Sequence, residues 1–205
     1  MDEVFGTHKD EMTLLGTLLK NRRGRDIHSA WNRPNLQGPE LLIVTSEDFG
    51  EGQSIPREHA GKRVGGNNVS PDLSWSPPPP ETTELVLVVE DLDVPTSKPA
   101  VHCLVLIDPS RLHSPNHLPP GVLSAKAPAA GVRILRSTIS RGYHGPEPIK
   151  GHGPHRYTFQ VFALSSDVST TPDAARLDRV RPRALLSSLS IPVIARGRLT
   201  GDYER

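Results

Sequence analysis

Apolar residues along this 205-residue chain gather in four short runs. Leu41-Leu42-Ile43-Val44-Thr45 is the first, Leu85-Val86-Leu87-Val88-Val89 is the strongest, and Val101–Ile107 and Tyr157–Leu164 follow. Each is rich in β-branched or aromatic side chains and is bounded by Pro, Gly, Ser or Asp, which predicts strands. None alternates cleanly between apolar and polar positions, so the strands should be covered on both faces, as in a central sheet. The connections are long and proline-rich, for example Ser76-Pro77-Pro78-Pro79-Pro80 and Pro115–Pro120. Loops of that length inside a compact domain usually carry function or pack tightly. Past Leu164 the pattern turns helical. Thr171-Pro172-Asp173 offers an N-terminal cap with proline at the first helical position, and Arg181-Pro182 starts a second segment through Ala184, Leu185, Leu186 and Leu189. Ile191–Tyr203 reads as a last strand.

Residues 1–38 read differently from the rest. Met12, Leu14, Leu15, Leu18 and Leu19 form a lopsided apolar face over two helical turns, followed by Asn21-Arg22-Arg23-Gly24. This predicts a short helix that docks on the domain or on a second copy of the chain, which would make a homodimer. A basic flank beside a leucine face also suits an anionic membrane surface, a reading that ranks behind docking. The expected organisation is an N-terminal extension over 1–38 and one domain over 39–205.

Composition narrows the function classes. Twenty-one prolines and 17 glycines favour short strands and ordered loops over a helical bundle. The net charge of +1, from 24 basic and 23 acidic residues, lacks the basic face that nucleic-acid binding needs. A single cysteine, Cys103, excludes an internal disulfide, and its apolar run predicts an inert buried thiol. The stretch Leu14–Leu19 is too short to span a membrane and has its charges on the wrong side for a secretory signal. A cytoplasmic location is therefore expected.

Three clusters can carry chemistry. Glu90-Asp91-Leu92-Asp93-Val94-Pro95 follows the strongest strand, and an extended chain there would aim Asp91 and Asp93 to one side. The plain alternative is a turn in which Asp bonds its own backbone. His102 stands inside an apolar strand, as a hydrogen-bonded core residue or as a pocket wall. The third cluster runs from Gly142 to Tyr157 and alternates glycine and proline before entering a strand, where period two puts His155, Tyr157 and Phe159 on one face. Glycine-rich turns leave backbone N–H groups free to make an anion-binding concavity. His102, His144, His152 and His155 could in principle ligate a metal with the aspartates, but neither an HExxH nor a paired-cysteine spacing exists, and no metal is expected. Phosphate-cradling nucleotide loops and a G-x-S-x-G elbow are also missing from the sequence, so no cofactor is expected.

Taken in order, these clusters resemble the phosphatidylethanolamine-binding protein family. Asn68-Val69-Ser70-Pro71-Asp72-Leu73-Ser74-Trp75 is similar to its NxSPxLxW segment, and Asp91-Leu92-Asp93-Val94-Pro95 to its DPDxP motif. His102-Cys103-Leu104-Val105 matches its strand histidine. Gly145-Pro146-Glu147-Pro148 through His155-Arg156-Tyr157 resembles its glycine–proline segment ending in HRY, in the longer spacing of the bacterial-type branch. Leu92 and Ile149 depart from the motif prolines, Cys103 takes a place where bulky residues are common, and Ala100-Val101 lacks the aromatic that often precedes the histidine. The resemblance implies a mostly β fold with flanking helices, a large central antiparallel sheet and a smaller second sheet. It implies a pocket for phosphate-type anions or phospholipid headgroups, built from Asp91, Asp93, Pro95, His102, Gly145, Pro146, His155 and Tyr157. Since family members inhibit kinases and proteases, a protein target is a second expectation. The aspartates are expected to orient and charge the histidines. The competing expectation is a small-molecule isomerase or dehydratase using the same Asp/His set as general acid and base.

Overall fold

The structure, a computed structural model, describes residues 14–168 and 177–205. The cap predicted at Thr171-Pro172-Asp173 lies outside them. Five antiparallel strands form the main sheet in the order β6-β4-β3-β7-β8: β3 is Glu84–Asp91, β4 Ala100–Ile107, β6 Val132–Ile134, β7 His155–Leu164 and β8 Val193–Tyr203. A three-stranded antiparallel sheet, β1-β2-β5, is built from Val44–Thr45, Leu73–Trp75 and His117–Leu118. The fold is thus mostly β with few helical elements, as expected.

The central strand explains the unbroken apolar runs. Every residue of β3 is buried. Leu85, Leu87 and Val89 face the small sheet with Phe49, Trp75, Val105 and Phe159. Val86 and Val88 face the opposite core with Trp31, Leu36, Leu104, Phe162, Leu185 and Leu186. Each such side chain contributes about 1.5–3 kcal/mol by leaving water. The second core is closed by the helix Pro182–Ser188, which starts where Arg181-Pro182 predicted, with proline in its first turn.

Two expectations need correcting. The run Leu41–Thr45 yields only the two-residue β1, because Leu41 and Ile43 point to solvent at 61% and 70% exposure. Residues 14–19 are helical and the segment does lie on the domain, but of its leucines only Leu19 is partly buried. Leu14, Leu15 and Leu18 are exposed, and the buried position is Gly16. No helix among the described residues is long and apolar enough to cross a membrane.

Glu84, at the start of β3, accepts a hydrogen bond from the Val168 N–H at 2.8 Å. Burial pushes its carboxyl from 4.5 up to about 7. The unfolded chain ionises this group first, so stability falls as pH rises from about 4.5 through about 7. Glu84→Gln should therefore flatten the profile in urea melts. It should stabilise the protein by about 1–2 kcal/mol near pH 8, after allowance for solvent screening, and change little near pH 5.

Candidate functional site

Asp91 ends β3 on the face that carries Val89. Its register partner on β7 is Tyr157, and His155 stands two residues before Tyr157 on the same face. His102 reaches that face by a different route. The β3–β4 register shifts between Val89, opposite Cys103, and Glu90, opposite Val101, which leaves His102 as the extra residue of a bulge. Bulges re-aim side chains. Here the bulge brings the imidazole edge-on to Tyr157, with ring centroids 5.2 Å apart, while the His155 ring stacks on Tyr157 at 6.4 Å. Asp91, His102, His155 and Tyr157 thus meet in one buried cluster, each no more than 3% exposed.

The proton positions follow from the partners. His102 Nδ1 lies 2.7 Å from the His144 carbonyl, which can only accept, so Nδ1 carries the proton. Burial holds the His102 pKa below 6.5, which keeps this ring neutral at pH 7 with a bare lone pair on Nε2. The Tyr157 hydroxyl is buried near the Asp91 carboxylate and the Glu147 backbone but makes no hydrogen bond of ordinary geometry. Burial, then the Asp91 charge, raises its pKa well above 10, so it stays a donor.

His155 is tied at both nitrogens. Nδ1 sits 2.8 Å from Asp91 Oδ2, and Nε2 sits 2.6 Å from Nδ1 of the fully buried His152. His152 Nε2 in turn points at two carbonyls, Leu19 O at 2.9 Å and Arg22 O at 3.0 Å. Since those carbonyls only accept, His152 Nε2 is protonated. Asp91 accepts a hydrogen bond from His155 Nδ1, and the bond between His155 Nε2 and His152 Nδ1 then needs one proton, shared by the two rings at 2.6 Å.

The far end of that chain is the N-terminal segment. Gly16 packs so tightly on Lys150, Gly151 and His152 that a Cβ would collide with the Lys150 carbonyl, and Gly24 is pressed on the Leu92 carbonyl. The Arg23 guanidinium donates to Pro154 O at 2.9 Å and pairs with Asp93 at 3.1 Å. Residues 16–24 therefore form a cap, and His152 plugs the space between it and His155.

Asp93 does not join Asp91. The Asp93 N–H donates to Asp91 Oδ1 at 2.9 Å, which turns the chain at the end of β3 as the plain Asx-turn alternative foresaw. The Asp93 carboxylate then accepts from the Arg156 backbone at 2.9 Å, from Arg156 Nε at 2.8 Å and from Arg156 Nη2 at 3.0 Å. Burial alone would raise its pKa, but the hydrogen bonds and charge of Arg156 outweigh it and hold the carboxyl below its usual range. Pro95 stands half-buried in the bend beyond. Gly145 and Pro146 form a buried wall next to His144. The Gly145 N–H donates to Asn68 Oδ1 at 2.8 Å and Pro146 O accepts from the Gly61 N–H at 3.0 Å, so neither is free to reach a ligand as it stands.

A profile of the phosphatidylethanolamine-binding protein family matches residues 45–204. This chain belongs to that family. A UPF0098 protein of Aquifex aeolicus is 30% identical over 169 residues, covering 82% of this chain and 91% of its own. Phomoidride biosynthesis cluster protein B of a fungal species is 28% identical over 179 residues, covering 80% and 84%. The crystal structure of Escherichia coli YbcL, a member of the mammalian family by its description, superposes with a TM-score of 0.66 at 28% identity, covering 80% of this chain and 98% of that one. In this family member, the HRY segment splits its roles between sheet faces: His155 and Tyr157 enter the cluster, while Arg156 clamps Asp93.

Sequence reasoning missed two parts. Asn68 adopts φ 58, a left-handed conformation that asparagine tolerates, and so grips the 143–145 loop from both sides: its Nδ2 donates to Tyr143 O at 3.1 Å while its Oδ1 holds Gly145. The Asn68-Val69-Ser70 motif was its visible signal. Docking of the N-terminal segment was foreseen from its leucine face, but its contact points were not, because nothing local in Gly16 or Gly24 announces a contact more than 60 residues away.

Proposed function

We propose that this family member is a binding protein that holds a small oxyanion, of the phosphate or phospholipid-headgroup type, between Tyr157, His155 and His102. The reading rests on one observation: a buried Tyr157 hydroxyl that makes no hydrogen bond of ordinary geometry, beside a His155 whose Nε2 meets only His152. A ligand oxygen replacing His152 Nδ1 would accept from His155 and from Tyr157 together, two strong donors to one anion. Asp91 orients and charges His155. Asp93 acts through Arg156 and Arg23, and Pro95, Gly145 and Pro146 shape the walls. The conformation described is the closed one, and residues 16–24 serve as a regulatory cap that must move before the ligand enters. Transfer of this binding to a kinase or protease target, and a cytoplasmic location, belong to the same proposal; the inert thiol of Cys103, its pKa pushed to about 12 by burial, is compatible with a reducing compartment.

A second reading, acid–base chemistry on a small metabolite, draws on the His155–His152 proton chain and on the relative named for a biosynthesis cluster. Turnover unchanged in His155→Ala would remove it.

Sulfate tests the binding reading, since its charge is constant across the relevant pH range. NMR titration should shift the ring signals of His102 and His155, more strongly once the cap is displaced. An adjacent anion raises the low His102 pKa, so binding takes up a proton. Affinity should rise as pH falls from above 6.5 towards the free His102 pKa, by at most about tenfold per pH unit. No shift at either histidine, with the cap present or displaced, would overturn the proposal.

A further inference from the structure

Behind the Gly145 wall lies a second cluster that the anion site does not use. His59 closes the short 3-10 turn Arg57–His59 and is 1% exposed, yet its Nε2 makes no hydrogen bond. Its Nδ1 lies 2.9 Å from the Val69 carbonyl, so Nδ1 carries the proton. In the neutral ring, Nε2 is then a bare lone pair. It faces two carboxylates, Asp48 Oδ2 at 3.3 Å and Glu58 Oε1 at 3.9 Å. Three potential ligand atoms, one from each residue, thus lie within 4.8 Å of one another. Such an arrangement calls for a positive charge at its centre, either a proton on Nε2 or a metal ion.

We propose that Asp48, Glu58 and His59 bind a zinc-class divalent cation, with water completing the coordination. Zinc bonds of about 2.0–2.2 Å in tetrahedral geometry spread the ligand atoms about 3.3–3.6 Å apart, close to the separations already present. The Glu58 side chain is 58% exposed and can swing inward by the remaining distance. Asp48 is held in place, because its Oδ2 also accepts from the Asp72 N–H at 2.7 Å. The Val69 carbonyl on Nδ1 is the kind of outer partner that fixes the tautomer and ring orientation of a metal-binding histidine. One imidazole with two carboxylates favours zinc, cobalt or nickel over calcium or magnesium, which prefer all-oxygen sites.

The ion would act as a clip. The His59 carbonyl accepts from the Tyr143 hydroxyl at 3.1 Å, and Gly145 lies so close to that carbonyl that a Cβ would not fit. Tying His59 to Asp48 therefore braces the wall Tyr143–Gly145 from the side opposite His102, a structural role that holds whether or not the anion pocket fills.

Metal-stripped, untagged full-length protein titrated with Zn2+ or Co2+ tests this. One equivalent should bind, Co2+ should give the visible absorption of a tetrahedral N/O site, and the Tm should rise by about 5–10 °C at 100-fold excess over Kd. Glu58→Gln, on an exposed side chain that the fold does not need, should weaken that equivalent about tenfold or more, and His59→Phe should abolish it. Wild-type binding in Glu58→Gln, a metal-independent Tm, or an Nε2 that carries its own proton in 15N spectra at pH 8 would each overturn the proposal. In the last case the cluster is an ordinary ion pair.

Discussion

Glu90→Ala is expected to destabilise this protein by about 3–5 kcal/mol, the largest stability effect among the substitutions considered. Glu90 is fully buried on the side of β3 opposite Asp91. Its Oε2 accepts from the Ala30 N–H at 2.7 Å and from Gln160 Nε2 at 2.9 Å, and its Oε1 accepts from Arg183 Nη2 at 2.7 Å. One carboxylate therefore joins four segments: the N-terminal connection, β3, β7 and the helix Pro182–Ser188. Truncation leaves a partly buried guanidinium without its counter-charge and an amide and a backbone donor without their acceptor, and an unpaired buried polar group costs more than its bond contributed. Glu90→Gln keeps the shape and one acceptor, so about half the loss is expected. Urea unfolding at pH 7 reads both. A loss below about 1 kcal/mol for Glu90→Ala would mean that Arg183 and Gln160 find water or new partners.

Glu90 also marks what the sequence could not reveal. Within Glu90-Asp91-Leu92-Asp93 the three acids look alike, yet they take three different partners: Arg183, His155 and Arg156. Period two separates Glu90 from Asp91 correctly. It fails at Asp93 because the Asx turn on Asp91 ends the strand first. Similarly, β3, β4 and β7 were legible because strands covered on both faces must be apolar throughout, whereas β1, β2, β5 and β6 are two or three residues long and too short to show a period. The clustering of His155 with Tyr157 followed from strand alternation alone. The position of His102 depends on a bulge, and bulges leave no mark in a single apolar run.

Removal of residues 1–25 is expected to tighten sulfate or phosphate-monoester binding by about 10–100-fold, a larger functional effect than any point change in the walls. The closed form holds His152 on His155 through the carbonyls of Leu19 and Arg22, and secures the cap by Arg23 on Asp93 and Pro154. Two hydrogen bonds at about 0.5–1.5 kcal/mol each and one half-exposed ion pair at up to about 1 kcal/mol give a closed-state preference of roughly 1–4 kcal/mol, within which the 10–100-fold expectation lies. A ligand that binds only the open state loses that much affinity, because its apparent Kd is divided by the open fraction. The same release should follow in the full-length chain from Gly16→Val, since a branched side chain cannot fit against the Lys150 carbonyl. It should follow also from His152→Ala, which removes the plug together with the hydrogen bonds that hold the cap by Leu19 and Arg22. Agreement among the three variants in calorimetric titrations would identify the cap as a gate. If all three bind as wild type does, the N-terminal segment rests on the domain without guarding it, because the one feature they share is loss of the His152–His155 contact.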